Sequence, residues 1–309
     1  GALPRVDWLS PTRGGAPWAV FEWLAELLYG GLHRLGGMNA LWALKAALVS
    51  ASGAALWRIL RHHGVGVLGR GLGVLSWLLV SPSANDLRPE NFSLLFFFVL
   101  LGRLEAGRRG ASPRELAFCA AYFVLWANLH AGFVYGLGLL ALYGAAASWR
   151  ERAARPLLPF AVAAAAPLAN PYGFGVYTVP WEHWSQIAAL QTYIFEWQEA
   201  SVLSRWLAPF WTLMALAFAA LAGRRVRCRE APFEHAALLA ALAWSAASHV
   251  RTAPYFSAAA VPVIASACAA ALPVGARRAG VWLAATAAVA FTCSQYAAVF
   301  AGGLGAFDP

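Results

Sequence analysis

The sequence predicts an all-α, polytopic membrane protein: a bundle of about ten transmembrane helices with interfacial helices at its surface. Three observations carry this. Apolar stretches near membrane-spanning length recur from Met38 to Ala301, separated by short clusters of Arg, Gly and Pro. Of 309 residues, 61% are hydrophobic and 12% charged, against about 25% charged in a soluble domain. Strict apolar/polar alternation is absent, which argues against a barrel.

The chain reads as one transmembrane domain over residues 1–309. Residues 1–37 form an outer loop and the interfacial helix Pro17–Leu35, with acids on one side and Trp, Leu and Tyr on the other. Residues 38–169 hold a first group of spans: Asn39–Trp57, Gly66–Ser81, Phe92–Arg103, Glu115–Asn128, Gly132–Ala147 and Leu157–Ala169. Pro89 pre-sets the start of the Phe92 helix. Residues 170–206 read as an outer loop with amphipathic helices, and residues 207–309 as C-terminal spans Leu207–Ala222, His235–Ala247, Ala253–Leu272 and Gly280–Gly302. Their recurrence suits helices crossing an apolar layer ~30 Å thick, although several are shorter than the roughly 20 residues of a full span.

Arginine sets the orientation. With residues 1–37 outside, the inner loops hold Arg58, Arg61, Arg103, Arg108, Arg109, Arg114, Arg150, Arg152, Arg155, Arg224, Arg225, Arg227, Arg229, Arg277 and Arg278. The outer side keeps Arg5, Arg13, Arg34, Arg88, Arg205 and Arg251, as the positive-inside rule requires. The net charge of +9 therefore fixes topology, and no nucleic-acid partner is expected. Lys45 and Arg70 fall within spans, where Lys45 either snorkels or pairs with an acid. Cys119, Cys228, Cys268 and Cys293 show no metal or disulfide spacing. Arg in preference to Lys, with abundant Ala, suits a GC-rich bacterial genome. The expected location is the bacterial inner membrane.

Inner loops read as simply basic, whereas the outer face gathers acids and amides, so a site should open outward. Asp7, in Pro4-Arg-Val-Asp-Trp-Leu-Ser-Pro-Thr12, either accepts a proton from a hydroxyl or caps a turn. Glu22 follows in Glu22-Trp-Leu. Arg88, in Asn85-Asp-Leu-Arg-Pro-Glu90, either holds a phosphate or pairs locally with Asp86 or Glu90. Asn128 and His130, in Trp126-Ala-Asn-Leu-His-Ala-Gly132, do not share a helical face but would both reach a cavity from a turn. Gly132 and Gly136 allow close packing there. Asn170 and Tyr172, in Asn170-Pro-Tyr-Gly173, end a helix in a turn. Glu196 lies in the aromatic outer stretch Trp181–Trp206, which suits a cover over a membrane-level pocket or plain packing on lipid. His249 and Arg251 suit an anionic headgroup, whether substrate or ordinary lipid.

Taken in order, these motifs resemble bacterial membrane proteins of the GT-C glycosyltransferase superfamily, relatives of protein O-mannosyltransferases and of the lipid A aminoarabinose transferase. The resemblance covers most of the chain. It implies a polyprenyl-phosphate sugar as donor, an unidentified acceptor, and a site on the non-cytoplasmic face. It further implies a carboxylate base in the first large outer loop, matched by Asp7, with His130 as its catalytic companion. Glu22, Arg88, Glu90, Asn128, Asn170, Tyr172, Glu196, His249 and Arg251 are then expected to bind substrate. No metal is indicated. Such proteins carry an earlier span and acidic motif that would precede Gly1, so the chain is expected to be N-terminally incomplete. The membrane location is chemically sensible, since each CH₂ of a polyprenyl tail is held in the bilayer by about 0.8 kcal/mol. Two alternatives remain: a transporter or flippase of lipid-linked substrates, and a non-catalytic scaffold.

The arginine distribution is directly testable. A cysteine introduced as Ser83→Cys should react with an impermeant maleimide from outside, measured against the parent, and Gly107→Cys should not. The reverse pattern would move the proposed active face to the inside.

Overall fold

The computed structural model describes residues 3–8, 10–12, 14–81, 86–107, 110–201, 207–228 and 232–271. Among these the regular secondary structure is helical, apart from an isolated bridge between Val6 and Pro17. The helices are α1 (Trp23–His62), α2 (Val67–Val80), α3 (Glu90–Glu105), α4 (Pro113–Leu129), α5 (Phe133–Glu151), α6 (Leu158–Ala165), α7 (Gly175–Ser185), α8 (Ile187–Tyr193), α9 (Ala208–Cys228), α10 (Phe233–Ser248) and α11 (Ala253–Ala271). Every expected span up to Ala253–Leu272 falls on a helix. The expected span Gly280–Gly302, and Arg13, Arg108, Arg109, Arg205, Arg229, Arg277 and Arg278, lie outside the described residues.

Among the described residues, two helical stretches are long and apolar enough to cross a membrane, Trp23–His62 and Val250–Ala269. Val67–Val80, Arg155–Ala169 and Ala208–Arg224 are apolar but shorter. The expected interfacial helix starts later than the sequence pattern suggests, at Trp23, because Pro17–Phe21 is held as loop. It runs directly into the following span. The joint is a kink at Gly36 and Gly37, where Gly37 takes a φ of +60° that side-chain-bearing residues rarely adopt.

Helix α3 is the axis of the core. It is apolar on every side, burying Phe92, Leu94, Phe97, Phe98, Leu100, Leu101 and Leu104, and it packs against α1, α4, α5 and α11. Such a helix needs protein all around it. Trp77 of α2, Phe123 and Trp126 of α4, Tyr143 of α5 and Tyr255 of α11 fill the same core. α4 begins on Ser112, whose hydroxyl accepts from the Glu115 amide at 3.3 Å, with Pro113 in the first turn. Large side chains also remain uncovered on the outside of the bundle, including Leu35 and Trp149, at 86% and 87% exposed.

The two ends of α3 carry different polar groups. Its first turn holds Glu90 and its last holds Glu105, about 22 Å away along the axis. The basic side was expected to be simply basic; the Glu105 end instead holds a buried acid. Glu105 meets His235 at 2.9 Å and His63 at 3.2 Å, and accepts from the Tyr143 hydroxyl. Burial opposes ionisation there, but these hydrogen bonds outweigh it and hold the carboxyl well below its ordinary range. Nearby, Arg150 reaches Glu234 at 3.0 Å and Arg103 reaches Glu115 at 2.5 Å. Within the spans, Lys45 lies 4.8 Å over Trp42 and Arg70 lies 4.7 Å over Trp57.

Glu105 thus ties together the ends of α1, α3 and α10 and the middle of α5. Breaking a buried pair by removing one partner costs about 3 kcal/mol, so Glu105→Gln should lower stability by that order at neutral pH. The folded pKa lies below the unfolded one, so the stabilisation is full above about pH 4.3 and fades as pH falls toward the folded value. Thermal unfolding should therefore show the gap between parent and Glu105→Gln closing in acid. A gap constant with pH would remove the carboxylate from the account.

Candidate outward-facing site

The α4–α5 junction builds the centre. His130 ends α4 in an extended conformation, with φ of −165° and ψ of 145°, so its ring turns out of the helical path. Its Nδ1 accepts from the Gly132 amide at 2.9 Å and lies 2.7 Å from the Ser93 hydroxyl. Ser93 is fully buried and accepts from Trp126 Nε1 at 2.7 Å. A backbone N–H can only donate, so Nδ1 must be an acceptor and the proton of the neutral ring sits on Nε2. That Nε2 faces Glu22 Oε1 at 3.3 Å.

Glu22 immediately precedes α1 and is not used to cap it. Burial is the main influence on its carboxyl, pushing the pKa up to about 7. Glu26 and Glu90 push the same way, while Arg251 opposes them. An acid that is half-ionised near neutrality, with an oriented imidazole against it, is suited to moving a proton.

Asn128, Asn170 and Tyr172 form the frame behind this pair. Asn128 Oδ1 accepts from Trp23 Nε1 at 2.6 Å and from Asn170 Nδ2 at 3.2 Å. Asn170 Oδ1 accepts from the Tyr172 amide at 2.9 Å. The Tyr172 hydroxyl donates to the Pro4 carbonyl at 3.2 Å and accepts from the Val20 amide at 3.1 Å. The Asn170-Pro-Tyr-Gly turn therefore clamps the amino-terminal loop, and Asn128 fixes the residue next to Glu22.

A second group contains the arginines. Arg88 reaches Glu196 at 2.6 Å and Asp86 at 3.3 Å. Arg251 reaches the same Glu196 at 2.5 Å and Glu90 at 3.3 Å. Trp197 covers Arg251 at 5.5 Å and lies 5.9 Å from His249. Glu90 is only 3% exposed, and burial raises its pKa against the pull of Arg251. Burial lowers the pKa of His249. Asp86, Glu90 and Glu196 are thus the acids that face Arg88 and Arg251. Glu22 stands beside them as a further acid, close enough to feel both Arg251 and Glu90.

The structure thus links Glu22 with His130, Asn128 with Asn170 and Tyr172, and Arg88 with Glu196, Arg251 and Glu90. The Asp7 carboxylate accepts from the Ser10 amide at 2.9 Å, and its backbone pairs with Ala16 and Gly15. That is the turn-capping alternative. Ser93 was not singled out from the sequence, although it is a lone hydroxyl in the apolar run from Phe92 to Leu101. The stretch Trp181–Trp206 flanks the site through Glu196 and Trp197, while Trp206 is outside the described residues. Two clefts, one lined by His63, Glu105 and His235 and one by Arg103, Glu115 and Cys119, lie at the other end of α3. No group of three His, Cys, Asp or Glu suited to a metal occurs among the described residues.

Comparison with known proteins adds no relative: no family model, no curated protein and no solved structure matches the chain.

Gly132 is what lets this junction close. A Cβ there would stand 2.4 Å from the Ser93 hydroxyl and 2.8 Å from His130 Nδ1. Gly132→Ala should cost about 2 kcal/mol through this overpacking. Gly138→Ala, where a Cβ meets open space, should be neutral or mildly stabilising. Equal effects in thermal unfolding would mean that the junction is looser than described.

Proposed function

We propose that this chain is a multi-spanning glycosyltransferase of GT-C type that takes a sugar from a polyprenyl-phosphate donor at the outer face of the bacterial inner membrane. The observation that carries the reading is the Glu22–His130 pair, an acid with a pKa near 7 set beside an arginine pair. Helices at every expected span position among the described residues support a multi-spanning topology of about ten crossings. The large apolar side chains left outside the bundle support it as well.

In the proposed reaction Glu22 accepts the proton of an acceptor hydroxyl, and the freed oxygen attacks the anomeric carbon. The bond from that carbon to the phosphate oxygen breaks, and its electron pair leaves with the phosphate. Arg88 and Arg251 stabilise the charge that develops there. His130 holds Glu22 in position through Nε2–H and is itself held by Ser93 and Gly132. Asp7 takes no part in this scheme, and the base role falls to Glu22.

A second reading is a transporter of lipid-linked substrates. It draws on the Glu105–His63–His235 cluster, which gives α3 ionisable groups at both ends.

Release of polyprenyl phosphate from a panel of polyprenyl-phosphate sugars, in nanodiscs, separates the two. Transfer should rise with pH through about 7, as Glu22 ionises. Glu22→Gln should lower it at least about a hundredfold while keeping donor binding. Asp7→Asn should stay near the parent. Arg251→Ala should weaken donor binding, with Arg251→Lys a partial rescue. Movement of the lipid across liposome membranes with no polyprenyl phosphate released would favour the transporter.

A further inference from the structure

Glu196 occupies an unusual position for a loop residue. One carboxylate takes both arginines: Oε1 lies 2.5 Å from Arg251 Nη1 and 2.7 Å from Arg88 Nη1, and Oε2 lies 2.6 Å from Arg88 Nη1. Arg251 has a different partner at its other terminal nitrogen, Glu90, which is part of the core helix α3. The two acids therefore differ in mobility. Glu90 cannot leave without unpacking α3. Glu196 sits in the single 3₁₀ turn Phe195–Trp197, flanked by Tyr193 at 86% exposure and Phe195 at 64%.

Besides Glu196, the turn meets the bundle through Trp197, which lies against Arg251 and His249. Its backbone bonds are short-range, Trp197 N to Ile194 O and Gln198 N to Phe195 O. Beyond it, Val250 N donates to Gln198 O and Ala200 N to Ala247 O, so the following residues are anchored to the α10–α11 junction. The segment is thus fixed just after Glu196 and exposed just before it. Resting on the glycosyltransferase reading, we infer that Glu196 is an internal stand-in for the donor phosphate: it fills the Arg88–Arg251 anion site at rest, and the phosphate displaces it, swinging the Phe195 turn outward.

The physical argument is one of substitution. Two guanidiniums at the edge of an apolar bundle need an anion, since an uncompensated partly buried charge is costly. A carboxylate presents oxygens in a fork that fits a guanidinium, and a phosphate ester presents the same fork with more charge. Exchange of one for the other keeps the arginines paired throughout. An empty site therefore closes on itself, and a filled one has its loop displaced toward the acceptor side.

Two measurements on the full chain in nanodiscs test this: affinity for a polyprenyl monophosphate, and the fluorine resonance of a fluorinated phenylalanine placed at position 195. Glu196→Gln should bind about tenfold tighter, because no internal competitor must be removed first. In the parent, saturating lipid phosphate should move the resonance to where Glu196→Gln shows it without ligand. If the parent binds and needs Arg251, yet Glu196→Gln binds no tighter or the resonance stays put, Glu196 is a fixed structural partner and the inference fails while the function reading stands. If neither protein binds, the function reading fails and this inference falls with it. If inorganic phosphate at equal concentration acts as well as the lipid, displacement holds and the lipid-linked donor is what is overturned.

Discussion

Ionised groups at the edge of an apolar bundle are stable only in company, and that pairing is what the rest of this structure depends on. Helix α3 must be buried on all sides to hide its apolar surface, yet it begins with Glu90 and ends with Glu105. Each acid draws partners from elements remote in sequence: Arg251 at one end, His63, His235 and Tyr143 at the other. The two clusters fix both ends of the bundle axis, and the core between them is left to apolar side chains.

The cluster around Glu22 and Glu90 differs from the one around Glu105 in what remains after pairing. At Glu105 the hydrogen bonds outweigh burial, and the acid stays ionised. At Glu22 burial outweighs the attraction of Arg251, and Glu26 and Glu90 push the same way as burial. The same kinds of residue thus give a structural anion in one place and a proton carrier in the other. The difference lies in how many donors each carboxylate meets. His130 adds orientation, since the Gly132 amide fixes its tautomer and so directs Nε2–H at Glu22.

Much of the helical layout was legible from run length and from the arginines that close each run. The turn at His130 was legible too, because Asn128 and His130 are two residues apart and Gly132 follows. The role of Glu22 was not, because its acidity is set by burial that only the folded bundle supplies. The partner of Arg88 was also hidden: its sequence neighbours Asp86 and Glu90 were the expected local acids, whereas the tight contact is Glu196, 108 residues away. Asp7 shows the reverse. The resemblance drew it toward catalysis, while the bond to Ser10 three residues on is a local pattern readable in the sequence itself. Ser93 left only a faint signal, a single hydroxyl among phenylalanines and leucines.

The central claim is that burial beside His130 and the arginine pair leaves Glu22 as a group that titrates near neutrality. Infrared difference titration of the protonated carboxyl band, comparing the parent with Glu22→Gln, tests it most directly. The account predicts a carboxyl titrating at about 7 that vanishes in Glu22→Gln. It also predicts that this titration moves upward in Arg251→Gln, where an opposing cation is lost, and downward in Glu90→Gln, where a like charge is lost. A parent with no carboxyl titrating near neutrality, or one whose titration survives Glu22→Gln unchanged, would contradict it.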